Sequence, residues 1–303
     1  MTAPTPLEPA PAGLAPGRRV FLKREDVHEL GAFKWRAALP VLESYRDRGA
    51  TSVVTASTGN HGAATAWAGR RLGLTAIVYA PVGASRTKLA YLEQLGADVR
   101  LVGADIDEAK DAGRAFADEH ALAFFEDGAE PGQYDAYEAI GNEIADQAAE
   151  PPAAVVVPVG NGALLGGIGR AVGRRSPDTL RVGVVAKDAP VMARSWETGH
   201  AVQSDRCASF ADGLAVRVAI PFAVEVLSEA ADRMLEVSER EIARGVATFD
   251  DAGIRAEGAA AAALAALAQL DDVAGPVVLI VTGRNIDDDL LARCREQPES
   301  FPD

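Results

Sequence analysis

Cysteine is scarce in this chain. Cys207 and Cys294 are the two present among 303 residues. There is no CxxC pair and no neighbouring pair of histidines, so neither a disulfide framework nor a zinc site is indicated. Both are expected as free thiols. Positive charge is in deficit as well: Lys and Arg number 30 against 44 Asp and Glu, a formal charge of −14. A polyanion or an anionic membrane surface would meet net repulsion, which argues against nucleic acid and membrane as partners. No stretch of 18 apolar residues appears, and the Ala- and Pro-rich first 20 residues lack the continuous apolar run of a signal peptide. A cytoplasmic protein is expected. No repeat of fixed period is visible.

What is present is the composition of a globular enzyme, 48% hydrophobic with 24% charged residues, long enough for one large core or two smaller ones. Short apolar runs alternate with helix-length segments. Strands are expected at 52–55, 75–80, 98–102, 153–159, 180–186 and 276–281. Several are unbroken Val/Ile/Leu runs, as in strands covered on both faces by helices. Helices are expected at 60–72, 85–95 and 164–174, stopped by Gly73, by Gly96 and before Pro177. The order strand, helix, strand gives an α/β fold of parallel sheets with right-handed crossovers. Residues 51–128 hold three strand–helix units of their own. They are expected to form a small domain inserted into a larger one made of 1–50 and 129–303, with the breaker-rich loop from Asp127 to Gly132 as the link.

Three turns follow expected strands, where open α/β sheets place their ligands. In Ser57-Thr58-Gly59-Asn60-His61-Gly62, hydroxyls and helix-opening N–H groups suit an anion, though an ordinary N-cap by Ser57 or Thr58 explains the same residues. Gly160-Asn161-Gly162-Ala163-Leu164 suits a phosphate. Its glycine spacing misses the dinucleotide fingerprint, and no Lys-Ser/Thr follows to make a P-loop. Thr282 ends the last strand, where its hydroxyl could meet a heterocyclic nitrogen or cap a helix. Lys34, in the run Gly31 to Ala38, offers an amine to a carbonyl cofactor.

Together these segments resemble the threonine/serine dehydratase group of the tryptophan synthase β family, the fold type II pyridoxal-phosphate enzymes, over nearly the whole chain. Leu22 to Ala37 is similar to the cofactor-lysine segment, with Lys34 at the Schiff-base position and Phe33 packing beside it. Ser57 to Gly62 resembles the family's Ser-Ser-Gly-Asn-His-Gly loop. By that resemblance Ser57, Thr58, Gly59, Asn60 and His61 bind the substrate carboxylate, and Asn60 also contacts the cofactor ring hydroxyl. Gly160, Asn161, Gly162, Ala163 and Leu164 match the phosphate loop, Ala211 to Val216 and Ala256 to Ala260 resemble two further segments, and Thr282 falls on the serine facing the pyridine nitrogen. Glu257 would lie near the cofactor, or serve simply to open a helix. Thr58 stands where serine racemases carry a hydroxyl acid/base opposite the lysine, or it caps a helix.

The resemblance implies a pyridoxal 5'-phosphate-dependent ammonia-lyase, working as a homodimer. It would convert serine, threonine, 3-hydroxyaspartate or a similar small β-hydroxy amino acid to a 2-oxo acid and ammonia. A β-replacement synthase and an amino-acid racemase remain as alternatives, followed by a nicotinamide-dependent oxidoreductase and a non-catalytic cofactor-binding protein. Three departures qualify the match. Asn161 replaces a loop glycine and must either adopt a glycine-like conformation or reshape the loop. Lys187 stands where metal-activated members carry a glutamate, so no metal is expected there. The segment 133–143 lacks the family's Gly-x-Gly-Thr. His28, His120 and His200 are expected at the surface.

Overall fold

The computed structural model describes residues 3–303. The chain divides into two compact units, a larger one of Met1–Phe33 with Tyr137–Asp303 and a smaller one of Lys34–Ala136 that interrupts it in sequence. The smaller unit takes in 51–128 and also the helix Trp35–Asp47 ahead of it.

Among the described residues ten strands build two sheets: β1 (Leu7–Pro9), β2 (Val20–Arg24), β3 (Ser52–Ala56), β4 (Thr75–Ala80), β5 (Asp98–Leu101), β6 (Ala123–Phe124), β7 (Ala154–Pro158), β8 (Leu180–Ala186), β9 (Arg233–Val237) and β10 (Val277–Val281). The larger unit holds the order β1-β2-β10-β7-β8-β9 and the smaller β5-β4-β3-β6. All pairings are parallel except β1 with β2, an antiparallel edge on the larger sheet. The smaller sheet has four strands, one more than the three expected, because the two-residue β6 pairs with β3.

Both sheets are clothed by helices, which explains their unbroken apolar strands. In the smaller unit Val54, Ile77 and Tyr79 pack with Ala109 and Ala117 of the helix Ile106–Glu119. Val78, from the alternate set of side chains, packs with Ala63 and Leu92. In the larger unit the core gathers Val182, Val184, Leu279 and Val281 with Ile242 and Phe249 of the helix Glu239–Asp251. The alanine-rich helix Gly258–Ala265 approaches that helix closely: a β-carbon on Gly245 would lie 2.9 Å from the Ala261 carbonyl oxygen. The small residues therefore set how near the two helices can come.

Helices start where strands end, and the start signals are local. The helix Glu239–Asp251 has a full capping box between Ser238 and Glu241. The helix Asn60–Leu72 closes on Gly73 at φ +72°, and Gly96, with φ +97°, stands two residues past the helix Arg86–Gln94. Among the described residues Ala121 alone is a non-glycine with positive φ, at +52°.

Candidate active site

In the smaller unit, Lys34 immediately precedes the helix Trp35–Asp47. Its Nζ donates to both carboxylate oxygens of Asp127, at 2.8 and 2.6 Å. The same carboxylate accepts from Gln133 Nε2 at 3.2 Å and lies 3.6 Å from His61 Nδ1. Gln133 is fixed in turn, its Oε1 accepting the Gly128 N–H at 2.8 Å. The loop after β6 thus presents a held carboxylate to the lysine.

His61 opens the helix that follows β3, and it is buried. Its Nε2 lies 3.2 Å from the Phe125 carbonyl oxygen, which also accepts from Thr55 Oγ1 at 2.8 Å. Burial pushes the His61 pKa below its ordinary 6.5; Asp127 pulls the other way and Lys34 adds to the lowering. The imidazole is therefore neutral at physiological pH. Upstream, Ser57 Oγ accepts the Gly59 N–H at 3.2 Å, and Gly59 is extended at φ −109°. A β-carbon on Gly62 would strike the Ser57 carbonyl oxygen at 2.5 Å, so glycine is what lets the turn fold under the helix. Ser57, Thr58 and Asn60 are half-buried and Gly59 is exposed, beside helix-opening N–H groups that lack intrahelical partners. Lys34, His61 and Asp127 are thereby brought together, and the 57–61 turn is tied to them through His61.

In the larger unit, β7 and β10 are neighbours with Leu279 opposite Val156. Thr282 follows the end of β10, and the Gly160 loop begins just past the end of its neighbour β7. A β-carbon on Gly160 would meet the Gly213 carbonyl oxygen, and Gly162, at φ +95°, would meet Leu227 and Met192. Asn161 has not taken the glycine-like conformation: the positive φ falls on Gly162, while Asn161 Oδ1 accepts the Ala163 N–H at 3.1 Å. The Asn161 side chain thus closes a local turn onto the first residue of the helix Ala163–Arg175, whose N-cap is Gly162, and Leu164 is buried in the first turn.

Thr282 is buried, and its carbonyl accepts the Phe33 N–H at 3.1 Å. Its Oγ1 has no hydrogen-bond partner. Glu257, the N-cap residue of the helix Gly258–Ala265, donates its N–H to the Gly283 carbonyl at 3.0 Å. Its carboxylate lies so near Gly283 that a β-carbon there would sit 2.7 Å from an oxygen. The Phe33 ring packs on Tyr137 with centroids 5.1 Å apart.

Sequence reasoning missed Asp127 as the partner of this lysine, and Gln133 as the amide that holds Asp127, reading Asp127 as part of a linker. Asp127 is 93 residues from Lys34, and no motif spacing signals the pair. Of the remaining histidines, His120 and His200 are exposed and His28 is half-buried. Lys187 is exposed just past β8. Among the described residues no group of three or more His, Cys, Asp or Glu is placed to hold a metal.

The family model described as pyridoxal-phosphate dependent enzyme matches residues 1–283. The chain belongs to this family. Pyridoxal phosphate is accordingly its cofactor, and the two parallel-sheet units are the architecture of fold type II members. Within the family the chain is 32% identical over 283 residues to an L-threonine ammonia-lyase of Thermotoga maritima, covering 91% of this chain and 70% of that protein. It is 37% identical over 202 residues to a chloroplastic biosynthetic threonine dehydratase of Arabidopsis thaliana, covering 66% of this chain but 34% of that longer protein. Among solved structures, the processed form of threonine deaminase isoform 2 from Solanum lycopersicum superposes with a TM-score of 0.92 at 30% identity, covering 97% of this chain and 88% of that one. No described helix of this family member is long and apolar enough to cross a membrane.

Proposed function

We propose that this chain is a pyridoxal-phosphate-dependent ammonia-lyase that converts serine, threonine, 3-hydroxyaspartate or a similar small β-hydroxy amino acid to a 2-oxo acid and ammonia. The observation that carries the reading is the buried, unpartnered hydroxyl of Thr282. Leaving such a group unsatisfied costs about 1–3 kcal/mol. A ring nitrogen at the end of β10 removes that cost, so the residues present fit the cofactor. The Gly160 loop suits its phosphate because it precedes the helix Ala163–Arg175, whose opening N–H groups lack intrahelical partners.

In this reading Gly160, Asn161, Gly162, Ala163 and Leu164 hold the phosphate, Thr282 the ring nitrogen and Asn60 the ring hydroxyl. Phe33 and Glu257 would flank the cofactor, and Lys34 would supply the amine that holds it. When bound, the cofactor supplies a sink for the electron pair left on the substrate's Cα as its proton departs. Lys34 takes that proton at Nζ. Ser57, Thr58, Gly59, Asn60 and His61 orient the substrate by its carboxylate at the helix start, where N–H groups and the positive helix end converge. Thr282 offers a neutral hydroxyl where a carboxylate would hold a full charge. Charge build-up at Cα is then not prolonged, which favours prompt loss of the β-hydroxyl. The Thr58 hydroxyl is the proton donor that racemisation would need on the opposite face.

The proposal extends to a metal-independent, cytoplasmic homodimer. Its supports are the Lys187 ammonium where a metal ligand would stand, the two free thiols, and the family resemblance. Chelator should leave activity unchanged, and sedimentation should give twice the 31.6 kDa chain mass.

The deciding experiment is borohydride reduction of the purified yellow protein, followed by peptide mass analysis and by assay of L-serine, L-threonine and 3-hydroxyaspartate with chiral analysis of the residual amino acid. Pyridoxyl mass on Lys34 and 2-oxo acid release are expected. Label elsewhere, or inverted amino acid without 2-oxo acid, would overturn the reading.

A further inference from the structure

We infer that Glu239 is a positioning residue for the cofactor's phosphate: it seats the segment 210–214 against the Gly160 loop, and it does so as the neutral acid. The inference rests on the reading that the Gly160 loop holds that phosphate. It adds to that site a residue outside the phosphate loop itself, and with it a pH dependence of cofactor binding.

The parts all lie in the larger unit, past the ends of β7, β8 and β9. The segment 210–214 is wedged between two elements of the candidate site. On one side, a β-carbon on Gly160 would strike the Gly213 carbonyl oxygen. On the other, a β-carbon on Gly258 would lie 2.9 Å from Ala211 Cβ, and one on Gly213 would lie 2.9 Å from Ala259 Cβ, both against the helix Gly258–Ala265. Contacts this close leave no slack, so a shift of the segment is passed to the Gly160 backbone. Glu239, the first residue of the helix Glu239–Asp251, fixes where the segment starts: its Oε2 accepts the Phe210 N–H at 2.9 Å. The Ala208 N–H goes to the Asp188 carbonyl at 3.3 Å, and the Phe210 ring packs on Phe301 with centroids 4.7 Å apart.

Glu239 is 2% exposed, and its other oxygen, Oε1, has no hydrogen-bond partner. A full charge there is met by neither water nor a second donor. Burial is the larger influence and pushes the carboxyl pKa above its ordinary value; the Phe210 N–H and the Ser209 side chain work against the rise, and Asp188 adds to it. The helix start also favours charge, but burial outweighs it. The remaining groups nearby bring no counter-charge. Cys207 is half-buried, a thiol raised by burial and acted on by Arg217. Lys187 is exposed, Arg240 pairs with Glu299 and Asp303, and the Glu241 carboxylate accepts the Ser238 N–H. The sign follows from linkage. The seated segment favours the neutral acid, whereas the charged form gains by reaching water, so seating weakens as pH rises through the raised pKa and the phosphate is held less tightly.

The test titrates the full chain with pyridoxal 5'-phosphate and with pyridoxal, which lacks the phosphate, reading dissociation constants from absorbance between about pH 5 and 8, a range that starts just above the ordinary carboxyl value. Glu239→Gln keeps an acceptor for the Phe210 N–H and cannot ionise. Relative to it, wild type should lose at least about threefold in affinity for pyridoxal 5'-phosphate across the range and nothing for pyridoxal. Glu239→Ala removes the acceptor and should bind pyridoxal 5'-phosphate on the order of tenfold more weakly throughout. Parallel wild-type and Glu239→Gln profiles for pyridoxal 5'-phosphate would overturn the inference. So would an equal divergence with pyridoxal, or a Glu239→Ala protein of wild-type affinity. If Glu239→Ala fails to fold, the comparison of wild type with Glu239→Gln decides the matter. Failure to label Lys34 in wild type would bring down the proposed function together with this inference. A labelled, active wild type whose profile parallels that of Glu239→Gln removes the inference alone.

Discussion

A β-carbon built on Gly160 would lie 2.3 Å from the carbonyl oxygen of Gly213. Neither partner is a flexible side chain, so the backbone itself must move to admit a methyl group. Gly160→Ala should cost about 1–3 kcal/mol of stability and loosen the cofactor. The ratio of bound cofactor to protein after dialysis, beside a urea melt, checks both. Full retention with an unchanged midpoint would show that the loop is less constrained than its packing indicates.

Thr282 sets stability against activity. Replacing it by valine removes a buried hydroxyl that has no partner, so the cofactor-free protein should gain about 1 kcal/mol. The loaded enzyme should lose activity, on the order of tenfold or more. A loss of stability in the cofactor-free variant would mean that the hydroxyl already serves the fold.

His61 predicts a pH dependence of stability. Its folded pKa lies below the ordinary 6.5 because burial disfavours the charged ring. The unfolded chain therefore binds a proton that the folded one resists, and stability falls as pH drops through 6.5 toward the folded value. The slope from this single group is at most about 1.4 kcal/mol per pH unit. Urea midpoints of wild type and His61→Gln between pH 7.5 and 5.5, roughly the window that linkage defines, should diverge, with wild type losing more. Parallel losses would assign the acid sensitivity to other groups.

Lys23 is a buried charge in the larger unit. Its Nζ donates to Glu143 at 2.6 Å, to the Thr5 carbonyl at 2.7 Å and to Gln147 at 3.1 Å. Lys23→Met breaks the pair and leaves Glu143 without its cation, which should cost about 3–5 kcal/mol. A denaturation midpoint within error of wild type would refute this.

The unequal legibility of the sequence has a physical origin. Strands β4 and β8 were readable to the residue because helices cover both faces and demand unbroken apolar runs. Strand β2 was not, since Lys23 interrupts it with a charge whose carboxylate partner, Glu143, lies 120 residues away. Strand β9, with Arg233 and Glu236 and largely half-buried, lacks the apolar signal too. The turns at Ser57, Gly160 and Thr282 were legible as turns because glycines and hydroxyl residues follow apolar strands at fixed local spacing. Asp127 was not, because an acid among loop breakers looks like solvent-facing linker until the fold delivers it to a lysine. At Asn161 two alternatives stood open, and the structure removes one of them: the positive φ falls on Gly162, while the Asn161 side chain accepts the Ala163 N–H.

Ala121 gives experimenters a reserve. It holds a left-handed backbone shortly after the helix Ile106–Glu119 ends, a conformation costing an alanine roughly 1 kcal/mol that glycine does not pay. Ala121→Gly is thus a candidate stabilised background in which impaired variants of the catalytic turns can be purified and compared. The thermal margin would come from a helix end and would leave the surroundings of Lys34 and Thr282 as they were.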